Sequence, residues 1–177
     1  MVLTYKEYEA LPADGRRYEI HEGELAVTPA PSPGHQRISR NLYDVIGPHV
    51  RGQRLGEVFF APIDVILDDT TVVQPDLVYL DPTRLGLVSA RGIEGPPTLV
   101  VEILSPSTAL LDRSAKRQLY GRYRVPHYWI VDPEARTVEA LTLTEGAYQL
   151  VTRASGPAPV ALPPFPDLAL VPAALWP

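Results

Sequence analysis

One glutamate constrains this fold more than any other residue. Glu102 lies in the middle of the run TLVVEILSPST, at residues 98–108. The run is apolar and rich in β-branched residues, which is typical of a strand buried in a core, and the segment Ser-Pro-Ser-Thr ends it. A carboxylate removed from water without a partner is strongly destabilising, so buried acids are paired, protonated or bound to metal. The fold must therefore bring a compensating group to Glu102.

Length, charge and cysteine content limit the class of protein. With 177 residues and an ordinary share of apolar side chains, we expect a single domain over residues 1–177. The absence of cysteine excludes disulfides and thiolate zinc sites. A net charge of −5 argues against tight, sequence-independent DNA binding, although a local basic patch is compatible with an acidic whole. No apolar run approaches the ~20 residues of a membrane span, and no signal peptide is visible, so we expect a cytoplasmic protein without membrane contact.

Hydrophobic periodicity predicts an α/β fold, bordering on α+β, with a mixed central sheet. The first elements are a short helix at 4–11 and a β-hairpin at 18–27 with Glu22-Gly23 at its turn. The next predicted elements are a helix at 35–50 and strands at 57–67 (broken or bent at Pro62), 71–80 and 98–104. A helix at 111–123, three short strands that begin near residue 127 and a Pro-rich stretch near 156–166 follow.

Two further acids lie inside apolar strands. They are Asp76 in VVQPDLVYL and Asp64 in FAPIDVIL. If the strands of Asp76 and Glu102 pair, their carboxylates converge, and such an oxygen-rich site suits Mg²⁺ or Mn²⁺. Each acid taken alone is explained as well by backbone donors or by an arginine partner. From these residues both interpretations stay open.

The motif residues resemble a known superfamily. Pro-Asp at 75–76, followed by Glu-Ile-Leu at 102–104, looks like the PD-(D/E)XK motif of restriction-endonuclease-like nucleases. The wider pattern RRYEIHEGEL, PSPGHQRIS, FAPIDVIL, VVQPDLVYL, VVEILSPST and DRSAKRQLYGRYRVPHYWIVDP is similar to its bacterial Uma-type endonuclease branch. The resemblance implies a nuclease core over about 18–132, with a mixed sheet flanked by helices and an N-terminal hairpin. Extra C-terminal strands and the Pro-rich tail would occupy residues 133–177.

The resemblance also implies an activity, which is Mg²⁺-dependent (or Mn²⁺-dependent) hydrolysis of nucleic-acid phosphodiester bonds, with DNA as the expected partner. The metal ligands would be Asp76, Glu102 and the main-chain carbonyl of Ile103. The superfamily motif expects lysine where this chain has Leu104. In the Uma-type branch a lysine of the following helix takes over, and here that residue is Lys116.

The spacing of residues along the predicted helix is compatible with this role of Lys116. Asp112, Lys116 and Tyr120 follow one another at intervals of four, so they share one helix stripe. Without the resemblance, an exposed Asp112–Lys116 pair contributing ~0.3–0.5 kcal/mol explains the same spacing. The resemblance assigns catalysis to Asp76, Glu102 and Lys116.

Several residues are candidates for supporting or nucleic-acid-binding roles. The possible supporting residues are His35, Glu24 (ranked above Glu19), Ser105, Asp112 and Tyr120. On the helix after Glu102, Arg113 and Arg117 are candidate nucleic-acid contacts, and a solvated helix face explains them equally well.

Two other functions remain open from the sequence. Leu104 at the usual lysine position is compatible with an inactive nucleic-acid-binding or protein-binding module on a nuclease fold. The acidic net charge also suits a hydrolase of small phosphoesters. A homo-oligomer, dimeric or larger, is expected because an apolar Pro-rich tail can be buried against a partner.

Overall fold

Three β-sheets and four α-helices form the structure, a computed structural model that describes residues 2–177 apart from the side chain of Leu111. The strands are β1 (Arg17–His21), β2 (Glu24–Thr28), β3 (Glu57–Phe60), β4 (Val65–Asp68), β5 (Thr71–Val73), β6 (Leu77–Leu80), β7 (Ile93–Glu94), β8 (Leu99–Ile103), β9 (His127–Asp132), β10 (Thr137–Thr144), β11 (Ala147–Ala154), β12 (Val160–Leu162) and β13 (Phe165–Leu170). The helices are α1 (Tyr5–Glu9), α2 (Pro33–Gly52), α3 (Ala109–Arg113) and α4 (Ala115–Arg122), with 3₁₀ turns at Pro82–Leu87 and Pro172–Ala174. The predicted α/β class with mixed sheets flanked by helices is confirmed.

The largest sheet has the order β11-β10-β9-β8-β6-β3. The pair β8–β9 is parallel and the other pairs are antiparallel, so the sheet is mixed. Every residue of β8 is buried, as expected for a strand that is covered on both faces. Helix α2 packs on one face through residues such as Leu42, and α4 packs on the other through Leu119 and Tyr120. The side chain of Glu102 points toward α4, because it shares its face with Val100.

A second sheet has the order β2-β1-β5-β4-β7 and contains the predicted hairpin. Glu22 and Gly23 at its turn have φ values of 53° and 87°. Two consecutive positive φ values are what a two-residue type I′ hairpin turn requires, and glycine meets that requirement without a steric penalty. The predicted turn is therefore confirmed.

Three predicted elements are divided in the structure. The segment 57–67 forms β3 and β4, and the segment 71–80 forms β5 and β6. Strands β3 and β6 belong to the largest sheet, whereas β4 and β5 belong to the second sheet. Pro62 and Pro75 lie at the divisions, where a missing N–H interrupts a strand ladder. The predicted helix 111–123 is likewise divided at Ser114, whose φ of −121° and ψ of −74° are not helical. Asp76 lies at the crossing from one sheet to the other, immediately before β6.

No helix within residues 2–177 combines the length and the hydropathy that a membrane-spanning segment needs.

Candidate active site

A cleft of about 430 Å³ opens between the hairpin, the start of α2, the end of β8 and the α3–α4 segment. Its ionisable lining residues are Arg17, Glu19, His35, Asp76, Glu102, Asp112, Lys116 and Arg136. Such a concentration of charged groups in one concavity is typical of a functional site.

Asp76 lies opposite Glu102 across two paired strands. Leu77 of β6 faces Val101 of β8, and continuing this antiparallel register by one residue brings Asp76 level with Glu102. The predicted pairing of the two strands is thus present. Only 3% of Asp76 is exposed.

Three donors surround the carboxylate of Asp76. Its Oδ2 accepts a hydrogen bond from the main-chain N–H of Ile103 at 2.7 Å and lies 3.2 Å from Nε2 of His35. Its Oδ1 accepts from Nη1 of Arg17 at 3.1 Å. Burial alone would raise the pKa of Asp76, but His35, Arg17 and the Ile103 N–H outweigh it and lower that pKa. Asp76 is therefore a carboxylate at neutral pH.

Glu102 is compensated by α4. Its Oε1 accepts hydrogen bonds from Nζ of Lys116 at 3.0 Å and from the hydroxyl of Tyr120 at 2.6 Å. Burial, supported by the negative charges of Asp112 and Asp76, raises the pKa of Glu102 to about 8 even though Lys116 acts against it. Glu102 is consequently an acid whose ionisation depends on further positive charge.

Lys116 lies among three acids. Besides Glu102, its Nζ is 3.1 Å from Oε2 of Glu19 and 3.6 Å from Oδ1 of Asp112. Burial alone would lower the pKa of Lys116, but Glu102, Glu19 and Asp112 together raise it, so the group stays an ammonium. With only 5% of Lys116 exposed, the alternative of an exposed Asp112–Lys116 pair does not describe this structure.

Glu19, and not Glu24, is the acid that the hairpin contributes to the cleft. Glu19 is buried, and its carboxylate accepts from the main-chain N–H of Gln74 at 2.7 Å and lies 2.9 Å from Nε2 of His21. Burial would raise the pKa of Glu19, but Lys116 and His21 outweigh it and lower that pKa. Glu24 pairs with His21 in the hairpin register, so it lies at the turn end of the strand, exposed and away from the cleft.

Glu19, which the sequence ranked below Glu24, is thus the hairpin acid that lines the cleft, and a supporting role of either residue stays a prediction. A signal was present in the sequence, because Arg17, Glu19 and His21 alternate along β1 and so share one face. Three ionisable residues on one face of a partly buried strand indicate a polar site beside it.

Ser105 and Asp112 both line the cleft but differ in their contacts. The Ser105 hydroxyl bonds to Oγ of Ser107 at 3.0 Å and to Oγ1 of Thr108 at 2.9 Å, within its own turn. Asp112 is 2% exposed, and its Oδ1 has no hydrogen-bond partner among the described residues. Burial raises the pKa of Asp112 although Lys116 opposes it. Asp112 thus contributes an unsatisfied oxygen beside the ammonium.

Arg113 and Arg117 lie outside the cleft. The guanidinium of Arg113 donates to Glu139 Oε2 at 2.7 Å and to Asp132 Oδ2 at 2.8 Å. Arg117 donates to the main-chain oxygen of Tyr148 at 2.9 Å. Both therefore connect the α3–α4 segment to strands β9–β11, and their role as nucleic-acid contacts stays a prediction.

Two other arginines face the cleft. Arg17 comes from β1, and Arg136 comes from the turn between β9 and β10, where its φ is 54°. Arg17 lies in the motif segment RRYEIHEGEL, but Arg136 was missed. A turn arginine has no periodic signature, and only the parallel pairing of β8 with β9 brings its turn to this edge.

The charges of the cleft fit a divalent cation. Four buried carboxyl groups (Glu19, Asp76, Glu102 and Asp112) line the cleft together with three permanent cations, Arg17, Lys116 and the exposed Arg136. Among residues 2–177, no three His, Cys, Asp or Glu side chains form a ready-made metal cluster. Mg²⁺ does not require one, since it commonly takes one or two protein carboxylates and keeps several waters. The surplus of negative charge and the raised pKa of Glu102 are what such an ion relieves.

Comparison with known proteins identifies the family and the fold of the chain. The model of the family Uma2, described as "Putative restriction endonuclease", matches residues 5–173, which confirms the resemblance found in the sequence. A crystal structure described as a putative nuclease belonging to DUF820, from Anabaena variabilis ATCC 29413, is similar with a TM-score of 0.79 and 23% identity, over 98% of this chain and 97% of that one. This likeness shows a shared fold. A search of curated proteins found no match.

Proposed function

Because this chain belongs to the Uma2 family, we propose that it is a metal-dependent endonuclease that hydrolyses phosphodiester bonds of DNA. The observation that carries the proposal is the position of Lys116, whose Nζ lies 3.0 Å from Oε1 of Glu102. A lysine of α4 thus reaches the acid of β8, although the usual motif position holds Leu104. With Asp76 level with Glu102, the three functional groups of the PD-(D/E)XK motif lie in one cleft.

Asp76, Glu102 and the main-chain carbonyl of Ile103 would hold Mg²⁺ or Mn²⁺. When bound, the ion supplies positive charge that polarises a phosphodiester and lowers the pKa of a water molecule. Asp76 is already ionised, and the negative charge on Glu102 becomes favourable once a cation lies beside it. The donor set, which consists only of oxygen atoms, supports a hard cation.

Lys116 acts as a hydrogen-bond donor and not as a general base. Its raised pKa keeps the ammonium charged at neutral pH, so it cannot accept a proton from water. Its charge is suited to the non-bridging phosphate oxygens, where negative charge develops as the phosphodiester is attacked. Glu19 and Asp112 hold the ammonium in place through ion pairs of 3.1 and 3.6 Å.

The remaining contacts orient the acids. Arg17 and His35 fix the two oxygens of Asp76, and the hydroxyl of Tyr120 fixes Oε1 of Glu102. Hydrogen bonds of this kind set the direction of the carboxylate lone pairs. His35 is itself positioned at the first turn of α2, where its N–H donates to the capping hydroxyl of Ser32 at 3.2 Å.

Calorimetric titration with Mg²⁺ and Mn²⁺, together with plasmid cleavage, tests the proposal. Asp76→Ala and Glu102→Ala are expected to lose metal binding, and these variants and Lys116→Ala are expected to lose cleavage. Glu24→Ala is a matched control, because it removes an exposed acid of the same hairpin and should change neither property.

Each outcome has a distinct consequence. Metal binding without cleavage of plasmid or single strands, but with turnover of a chromogenic phosphodiester, would replace the endonuclease by a small-phosphoester hydrolase. Absence of metal binding in the wild type, with and without DNA, would refute the metal site and the nuclease proposal together.

A further inference from the structure

Part of the lining of the cleft is apolar, although the buried floor around Asp76, Glu102 and Lys116 is charged. Residues 29–31 (Pro-Ala-Pro) and Trp176 form this apolar part, and we call them the Trp176 wall. The charged side chains of Asp76, Glu102 and Lys116 line the same cleft. An apolar aromatic surface beside a phosphate-binding floor fits the two halves of a nucleotide, which are its base and its phosphate.

The indole of Trp176 is held in place by packing against the protein core. It packs against the core cluster on the α2 side of the large sheet while remaining partly exposed. The preceding residue, Leu175, is buried, and its main-chain oxygen accepts from Nδ2 of Asn41 at 3.0 Å. A ring fixed in this way loses little conformational freedom when a ligand stacks on it.

The floor of the cleft is deep. Asp76 and Glu102 are each 3% exposed and Lys116 is 5% exposed, so a phosphodiester must enter the cleft to reach them. A cleft of about 430 Å³ has the size of a small-molecule pocket, so its interior holds a nucleotide rather than a whole duplex. Enzymes that draw a base into such a pocket use single strands or extrude the nucleotide from the stack.

We propose that the Trp176 wall stacks an unpaired nucleobase next to the phosphodiester on the floor, so that the substrate is single-stranded or locally unpaired nucleic acid. This inference rests on the proposed nuclease function and names its substrate class. Stacking tolerates any base, because each base has a π-face. The preference is therefore for an unpaired strand and not for a sequence.

Intrinsic fluorescence gives a direct test. The chain has two tryptophans, and Trp129 is fully buried with its Nε1 bonded to the main-chain oxygen of Pro163 at 2.8 Å. A change on adding oligo(dT), measured with Ca²⁺ in place of Mg²⁺ to limit cleavage, therefore reports on Trp176. Quenching is expected in the wild type and not in Trp176→Phe. Equal quenching in the two proteins would overturn the proposal.

Affinity measured by fluorescence anisotropy separates stacking from packing. Trp176→Leu, which keeps apolar volume, is expected to bind oligo(dT) about 10-fold more weakly, while Trp176→Phe stays near the wild type. Phe60→Leu is the matched control, because Phe60 is 56% exposed and lies outside the cleft. An oligonucleotide with abasic positions should bind the wild type about as weakly as oligo(dT) binds Trp176→Leu. Combining the abasic oligonucleotide with Trp176→Leu should cause no further loss of affinity. This abasic arm leaves the protein unchanged, so it stands even if a variant folds poorly.

Failure of this inference and failure of the nuclease proposal are distinguishable. The stacking inference is overturned if Trp176→Leu binds oligo(dT) as tightly as the wild type. It is also overturned if duplex binds as tightly as single strand and depends on Trp176 to the same extent. Neither result affects the nuclease proposal as long as cleavage persists. Trp176-dependent binding of oligo(dT) without cleavage in Mg²⁺ or Mn²⁺ supports the stacking inference and overturns the nuclease.

Discussion

Replacing Lys116 by methionine removes the cation that three buried acids share. Glu19, Glu102 and Asp112 all lie within 3.6 Å of its Nζ, and methionine preserves most of the apolar stem. Breaking a buried ion pair from one side costs ~3–5 kcal/mol, because the other charge is left without compensation. We expect a loss of this size at pH 8 in the absence of divalent ions.

The loss should depend on pH with a definite sign. The pKa of Glu102 is raised to about 8, so at pH 6 this carboxyl group is protonated in the folded state. An acid with a raised folded pKa stabilises the fold below its unfolded pKa and loses this contribution as pH rises through the folded pKa. The destabilisation by Lys116→Met is therefore expected to be smaller at pH 6 than at pH 8.

Urea denaturation at the two pH values, in EDTA, measures this effect. Lys6→Met is the control, since Lys6 is exposed and is the other lysine of the chain. Adding Glu19→Gln to Lys116→Met should recover part of the loss, because the two residues interact directly and their effects are not additive. If Lys116→Met unfolded at the same urea concentration as Lys6→Met at both pH values, the electrostatic account of the cleft would be wrong.

Three other predictions follow from the same contacts. Mg²⁺ binding, measured by calorimetry, should strengthen as pH rises through about 8, because Glu102 must lose its proton. The variant Tyr120→Phe should move this dependence to higher pH, because it removes a hydrogen bond to the Glu102 carboxylate. Glu19→Gln should slow plasmid cleavage, whereas Glu24→Gln should leave the cleavage rate unchanged. Arg113→Ala should lower the free energy of unfolding by ~1 kcal/mol through its two ion pairs, without changing DNA affinity in an anisotropy titration.

The parts of the fold that local patterns determine were predictable. The turn at Glu22-Gly23 followed from the need for positive φ, and β8 followed from its unbroken apolar run. The meeting of Asp76 and Glu102 was also predictable, because two long apolar runs close in sequence pair readily in one sheet. A single domain, a cytoplasmic location and a homo-oligomer stay predictions from the sequence.

The parts that depend on distant partners were not predictable. Nothing local distinguishes residues 71–73 from 77–80, yet the two strands belong to different sheets. Arg113 looked like part of a basic helix face, but the acids that engage it, Asp132 and Glu139, come from β9 and β10. Sheet membership and ion-pair partners are settled by tertiary contacts, which override local propensity.

The choice of lysine at position 116 is explained by the same tertiary contacts. Only two of the 16 basic Lys and Arg residues are lysines, Lys6 and Lys116, so arginine is the usual cation of this chain. Arginine presents a planar fork that matches one carboxylate, whereas an ammonium directs three donors around a point charge. Acids from β1, β8 and α3 approach Lys116 from three directions. A compact ammonium can direct its donors to all three acids at once, so the burial and ion-pair partners of Lys116, and not its local helix pattern, place it inside the cleft.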